Sequence, residues 1–170
     1  MRKIPRILAF AVLPLTLLAA CSTAAAGRDD RALLDRTEIT GLIDQLGQAL
    51  DEGRFDALRD IYTSDATAKT PGGLASGIDA LVAQAGRNHD PDKKIQHLLT
   101  NVLITLHGDA AAVRTNVVAH FTPAGDGARL APEPEYSLGG VYRFDATRTS
   151  AGWRLSRVEM TPVWSTGIRP

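Results

Sequence analysis

The hydrophobic period of this chain changes once, near Ile95, and that change limits the folds open to it. Before it, apolar residues recur at helical spacing. Ile39, Leu42, Ile43, Leu46 and Leu50 mark one face of a first helix, and Gly53 reads as its stop. Asp35 with Glu38 reads as a capping box, with Leu34 and Ile39 as the hydrophobic staple beside it. Phe55, Leu58, Ile61 and Tyr62 form the stripe of a short second helix. Residues 65–70 read as a short strand ended by Pro71-Gly72-Gly73, and Ser76 as the cap of a third helix that buries Ile78, Leu81 and Val82. From Ile95 the period is two. Residues 95–106 and 110–122 are long strands joined by the two-residue turn Gly108-Asp109. After a polar loop at 125–134, strands at about 136–147 and 153–163 flank the turn Ser150-Ala151-Gly152. Three helices and then a meander of long strands predict an α+β fold, with helices covering one face of a curved, mostly antiparallel sheet.

The hairpin turn also predicts which side chains meet. With Gly108 and Asp109 as loop residues, His107 pairs with Ala110, and His97 falls opposite His120 with Cβ atoms roughly 4.5–5.5 Å apart. The same face carries Leu99, Asn101, Leu103, Asn116 and Val118, the mixed lining expected of a pocket. The other face carries Leu98, Val102, Ile104, Leu106, Val113, Val117 and Ala119, the composition of a core or a dimer interface. Two adjacent imidazoles exchange protons near neutral pH, and sharing one charge separates an acid from a base. Asp51, at the end of the first helix, is placed to orient one ring. Asp51, His97 and His120 are therefore the candidate catalytic residues, with Leu50, Tyr62, Leu99, Asn101, Asn116 and Val118 as pocket lining. Tyr136 and Tyr142 are further lining candidates, whereas His89 in a charged loop and His107 beside a turn read as surface residues. Neither a His-Glu-x-x-His helix nor a phosphate-binding glycine loop is present, so no metal or cofactor is expected.

The first 20 residues read as an export signal. Arg2, Lys3 and Arg6 precede an apolar stretch from Ile7 to Leu18, too short to span a membrane. Leu18-Ala19-Ala20-Cys21 resembles the bacterial lipobox, which implies diacylglyceryl attachment to Cys21 and cleavage just before it. Cys21 is the only cysteine, so no disulfide forms within the chain. Residues 21–30 then serve as lipidated anchor and short tether, and 31–170 as a single domain facing the periplasm or the cell exterior. Three basic residues leave with the signal, so 16 Lys and Arg remain against 19 Asp and Glu. That mildly acidic balance argues against a nucleic-acid partner.

Several segments, in order, resemble one family. They are Glu38-Ile39, Ala49-Leu50-Asp51-Glu52-Gly53-Arg54-Phe55, Ile61-Tyr62-Thr63-Ser64-Asp65-Ala66 and Gly77-Ile78-Asp79-Ala80-Leu81. His97-Leu98-Leu99-Thr100-Asn101, Gly108-Asp109-Ala110 and Gly152-Trp153-Arg154-Leu155 complete the set, which runs from about residue 35 to 162. In these the chain resembles SnoaL-like members of the nuclear transport factor 2-like superfamily. The resemblance implies a cone-shaped α+β barrel with a deep apolar pocket, and homodimers formed through the outer sheet face. Its scytalone-dehydratase-like branch is similar in placing an aspartate at the end of the first helix and two histidines on adjacent strands, matched here by Asp51, His97 and His120. The branch's two substrate-positioning tyrosines are not matched: Leu50 precedes Asp51, and Thr70 stands nearest the second position. Two functions follow as expectations. One is a cofactor-free dehydratase, isomerase or cyclase acting on a small apolar hydroxylated or carbonyl compound. The other is a membrane-tethered domain that binds a small apolar or amphipathic molecule without turnover, or a dimeric interaction lipoprotein of the cell envelope.

Overall fold

The computed structural model describes residues 17–87, 89–90, 92–124 and 133–168, with side chains from residue 29 onward. The chain divides into two units, Met1–Leu33 and Leu34–Pro170. Of the first, helical backbone is described from Leu17 and side chains only from Asp29, so residues 1–16 of the expected signal and the Cys21 side chain lie outside the described residues. The second unit holds the whole sheet.

Helix α1 runs Leu17–Asp51, followed by a 3-10 turn at Phe55–Ala57 and the short α2 at Leu58–Ile61. Strands β1 (Tyr62–Thr70) and β2 (Gly73–Ser76) form a small hairpin ahead of α3 (Ile78–Arg87). The long strands β3 (Lys93–His107), β4 (Ala110–Pro123), β5 (Tyr136–Thr149) and β6 (Gly152–Gly167) then meander. Among the described residues the six strands form one sheet in the order β2-β1-β6-β5-β4-β3. Of these neighbours the β1–β6 pair is parallel and the others are antiparallel. Irregularities between Thr100 and Leu103, Gly139 and Gly140, and Asp145 and Ala146 interrupt the ladders. Such bulges bend long strands and increase their twist, which curves the sheet into a cone. Helices on a curved, mostly antiparallel sheet is the architecture the period change predicts.

The apolar face of α1 is buried as its spacing requires: Ile39, Leu42, Ile43 and Leu46 are all at most 5 % exposed. They pack with Leu58, Ile61, Phe144, Trp153 and Leu155 in one core. Gly47 lets the sheet approach α1, since a Cβ there would stand 3.2 Å from Leu99 Cδ1. At the other end, Gly53 takes φ 66°, the amide of Gly53 donates to Leu50 O and that of Arg54 to Ala49 O. This is a Schellman stop, and it leaves Asp51 in the last turn of α1.

Two local expectations are corrected. Asp35 and Glu38 do not cap a helix start, because helix runs through them from Leu17, and Leu34 is exposed rather than stapled. Their carboxylates instead serve the β5–β6 hairpin. Asp35 accepts from Arg148 Nη2 at 2.5 Å and from the indole N–H of Trp153 at 3.2 Å; Glu38 accepts from the Trp153 amide at 2.7 Å. The second correction concerns Ser76, which ends β2 instead of capping α3.

Candidate active site

The concave face of the sheet and the helices enclose a cavity of about 470 Å³. Leu46 and Leu50 come from α1, Leu58 from α2, and Leu81, Gln84 and Ala85 from α3. Ile95 and His97 on β3, Val117, Ala119 and Phe121 on β4, Leu138 and Tyr142 on β5, and Val158 and Met160 on β6 complete the wall. Tyr62 enters from the start of β1. Charged residues gather at Arg87, Asp90 and Lys93, with Lys93 paired to Glu135. An apolar chamber with a few polar groups suits a small, largely apolar ligand.

One of those polar groups is built rather than incidental. The Asp51 carboxylate stands at a helix C-terminus, where the peptide dipoles disfavour negative charge. It is held there by β3. The backbone N–H of His97 donates to Asp51 Oδ1 at 2.9 Å and Oδ2 at 3.1 Å, and His97 Nδ1 lies 2.6 Å from Oδ1. Because an ionised carboxylate only accepts, this contact places the ring proton on Nδ1 and leaves the Nε2 lone pair for the cavity. The side chains are 12 % and 26 % exposed for His97 and Asp51, shielded but reachable.

The tyrosines form a second feature. Burial pushes the Tyr142 phenol up to about 12. Burial also raises the Tyr62 phenol, and the nearby Tyr142 raises it further. Both are neutral hydrogen-bond donors at any ordinary pH.

A family model for the SnoaL-like domain matches residues 31–159. The chain belongs to the SnoaL-like family. Among solved structures it is similar to a nuclear transport factor 2-like protein with a cystatin-like fold from Novosphingobium aromaticivorans, at 26 % identity, TM-score 0.65, covering 88 % of this chain and 92 % of that one. A provisionally named scytalone dehydratase from the same organism matches at 19 % identity, TM-score 0.71, covering 84 % and 93 %. A type 2 hexachlorocyclohexane dehydrochlorinase matches at 19 % identity, TM-score 0.70, covering 83 % and 93 %. These likenesses establish the nuclear transport factor 2-like cone. No protein of curated function matches the sequence.

Within this SnoaL-like cone the candidate residues separate. Asp51 and His97 are in contact, and Leu50, Tyr62, Tyr136 and Tyr142 line the cavity. His120 does not face His97. From His107 to Leu103 the β3–β4 pairing follows the expected register, but past the bulge Gln96 pairs with His120 and His97 with Ala119. Successive residues of a strand point to opposite faces, so this one-residue slip sends His120 to the convex face, where its Nδ1 meets Ser137 Oγ at 2.8 Å. The same reversal puts Asn116 and Val118 on the convex face. Asn101 lies in the bulge itself, exposed and at φ 56°. Leu99 points inward but packs on Gly47 rather than lining the cavity. Conversely Val117 and Ala119, expected on the opposite face, line the pocket. His89, expected at the surface, lines it too and packs edge-on against Phe55 at 5.3 Å; no periodic signal marks that loop.

Proposed function

We propose that this chain is a cofactor-independent lyase or isomerase of the dehydratase type, acting on a small, largely apolar hydroxylated or carbonyl compound. The observation that carries this reading is the 2.6 Å contact between His97 Nδ1 and Asp51 in the pocket wall. His97 Nε2 takes a proton from a carbon of the substrate, and the Asp51 charge stabilises the imidazolium that forms. The imidazolium then returns that proton, either to a departing hydroxyl, giving water and a double bond, or to another carbon, giving an isomer. No redox partner is needed. The fold neighbours named as a dehydratase and a dehydrochlorinase support an elimination.

The domain is exported and held to a membrane through a lipid on Cys21. Two copies pair through the convex sheet face, where Leu98, Val118, Gly139 and Trp164 form one apolar row across four strands. Leu98 and Trp164 are 45 % and 47 % exposed. Sedimentation of a Leu98→Glu variant as a monomer, against a wild-type dimer, checks the pairing; retention in the membrane fraction of a Cys21→Ala variant would refute the anchor.

The catalytic reading is tested by incubating the protein with a panel of cyclic β-hydroxy ketones and following loss of water. The expected result is turnover that falls at least about a hundredfold in His97→Gln. Ligands that bind with no conversion by the wild type would instead mark a binding protein.

A further inference from the structure

Two imidazoles reach this cavity, though not the pair that the strand register predicts. With His120 on the convex face, the second imidazole on the described lining is His89. It is exposed and also lines the cavity, so it meets solvent on one side and ligand space on the other. The ring is held in place. It stands edge-on to Phe55, with centroids 5.3 Å apart and planes at 72°, and a Cβ on Gly53 would come within 3.0 Å of its Cε1. The His89 amide donates to Gly86 O at 3.2 Å, which ties this stretch back to the end of α3. Gly53 lies two residues beyond Asp51, at most about 7 Å of chain, so His89 and His97 attend the same end of α1. Among the described residues neither nitrogen of the His89 ring has a hydrogen-bond partner.

Loss of water from a hydroxylated compound needs two proton movements. One proton leaves carbon, and one must reach the departing oxygen, because hydroxide is a poor leaving group. An imidazole can carry a proton to that oxygen near neutral pH. The other polar groups of the lining are less suited. Lys93 is paired to Glu135, and the Asp90 carboxylate accepts the Asp92 amide at 2.9 Å. Arg87 does not release its proton, and burial holds the protons of Tyr62 and Tyr142 on their oxygens. We propose that His89 is the general acid of the site: its protonated ring delivers a proton to the departing hydroxyl while His97 Nε2 removes the proton from the neighbouring carbon. The C–H and C–O bonds break, and a C=C bond and water form. The proton count closes when His97 gives its proton to solvent and His89, being exposed, takes one back. This role rests on the acid–base reading and adds to it a separate donor for the oxygen.

Three probes divide the two roles: cyclohexanone, 3-hydroxycyclohexanone and 3-acetoxycyclohexanone. Exchange of the α-protons of cyclohexanone in heavy water needs the base alone. Elimination of acetate also needs the base but no acid, since acetate leaves without a proton. Elimination of water needs both. His97→Gln should therefore slow all three reactions. His89→Gln should slow water loss on the order of a hundredfold and change exchange and acetate loss by less than about threefold. His89→Phe, which keeps a ring against Phe55, should lose water elimination as the glutamine variant does. A wild type that exchanges no α-protons refutes the acid–base reading and this role with it. With exchange intact, the role alone is overturned by either variant eliminating water at the wild-type rate. It is overturned equally by a matching fall in all three reactions in both variants, the mark of a ring that only packs.

Discussion

Replacing Asp51 separates its structural role from its chemical one, because alanine and asparagine remove different parts of the same contact. Its carboxylate accepts the His97 backbone N–H and the ring Nδ1. Asp51→Ala strips both acceptors. A hydrogen bond to a charged group is worth about 1.5–3 kcal/mol, and an orphaned amide adds to the loss. Water reaches a carboxylate that is 26 % exposed and replaces part of it, so the net cost should be about 2 kcal/mol. For a domain of this size that lowers the melting temperature by roughly 6 °C. Asp51→Asn is milder, about 1 kcal/mol, because an amide oxygen at the Oδ1 position still accepts both the backbone N–H and the ring Nδ1–H. What it removes is the negative charge that stabilises the imidazolium. Long-range 15N–1H spectra of the histidine rings should therefore show His97 in the Nδ1–H tautomer in both the wild type and Asp51→Asn, whereas turnover on any accepted substrate should fall on the order of 10²–10⁴ in the asparagine variant. A wild-type ring in the Nε2–H tautomer, or an alanine variant that melts with the wild type, would refute the contact as the organising feature of the site.

Other consequences are as direct. Asn101 is held at φ 56° on an exposed bulge, so Asn101→Gly should stabilise by a few tenths to about 1 kcal/mol, and Asn101→Val should destabilise by about 1–2 kcal/mol in urea titrations. Asp35→Ala leaves the indole N–H of the fully buried Trp153 without its acceptor and should cost about 1–3 kcal/mol, read from the same titrations. A Cβ at Gly140 would lie 2.7 Å from Thr161 O, a backbone atom that cannot swing away; Gly140→Ala should cost about 1–3 kcal/mol and lower the thermal midpoint accordingly. Since burial raises the folded-state phenol values above the unfolded value of about 10, the folded chain keeps protons the unfolded chain releases. Stability contributed by Tyr142 is thus complete below pH about 10 and lost as pH climbs towards about 12. Tyr142→Phe should flatten the alkaline limb of a denaturation series, and a limb of unchanged slope would count against the burial.

Whether a feature is legible in the chain turns on whether its signal is local. Helix face, Schellman glycine and the Gly108-Asp109 turn are decided by residues within one turn of each other, and each forms as read. Asp35 and Glu38 carry a local capping pattern, yet their carboxylates are claimed by Arg148 and Trp153 more than a hundred residues away. The strand β2 and the parallel β1–β6 pairing depend likewise on partners that no short window contains. The bulge at Asn101 is the instructive case, because its signal is present in the alternation. In β3 the inward apolar positions are odd at Ile95 and Leu99, then even at Val102, Ile104 and Leu106. A strand that changes parity must carry one extra residue at the change, and asparagine tolerates the left-handed conformation better than most side chains. Strand β4 keeps one parity throughout, with Val113, Thr115, Val117 and Ala119 buried. Without the bulge, the register that buries Val102, Ile104 and Leu106 would bury Gln96 and Leu98 and turn His97 outward, away from Asp51. The extra residue turns His97 in while His120 stays out, so the lone Asp–His pair, rather than two facing imidazoles, is a product of the backbone irregularity.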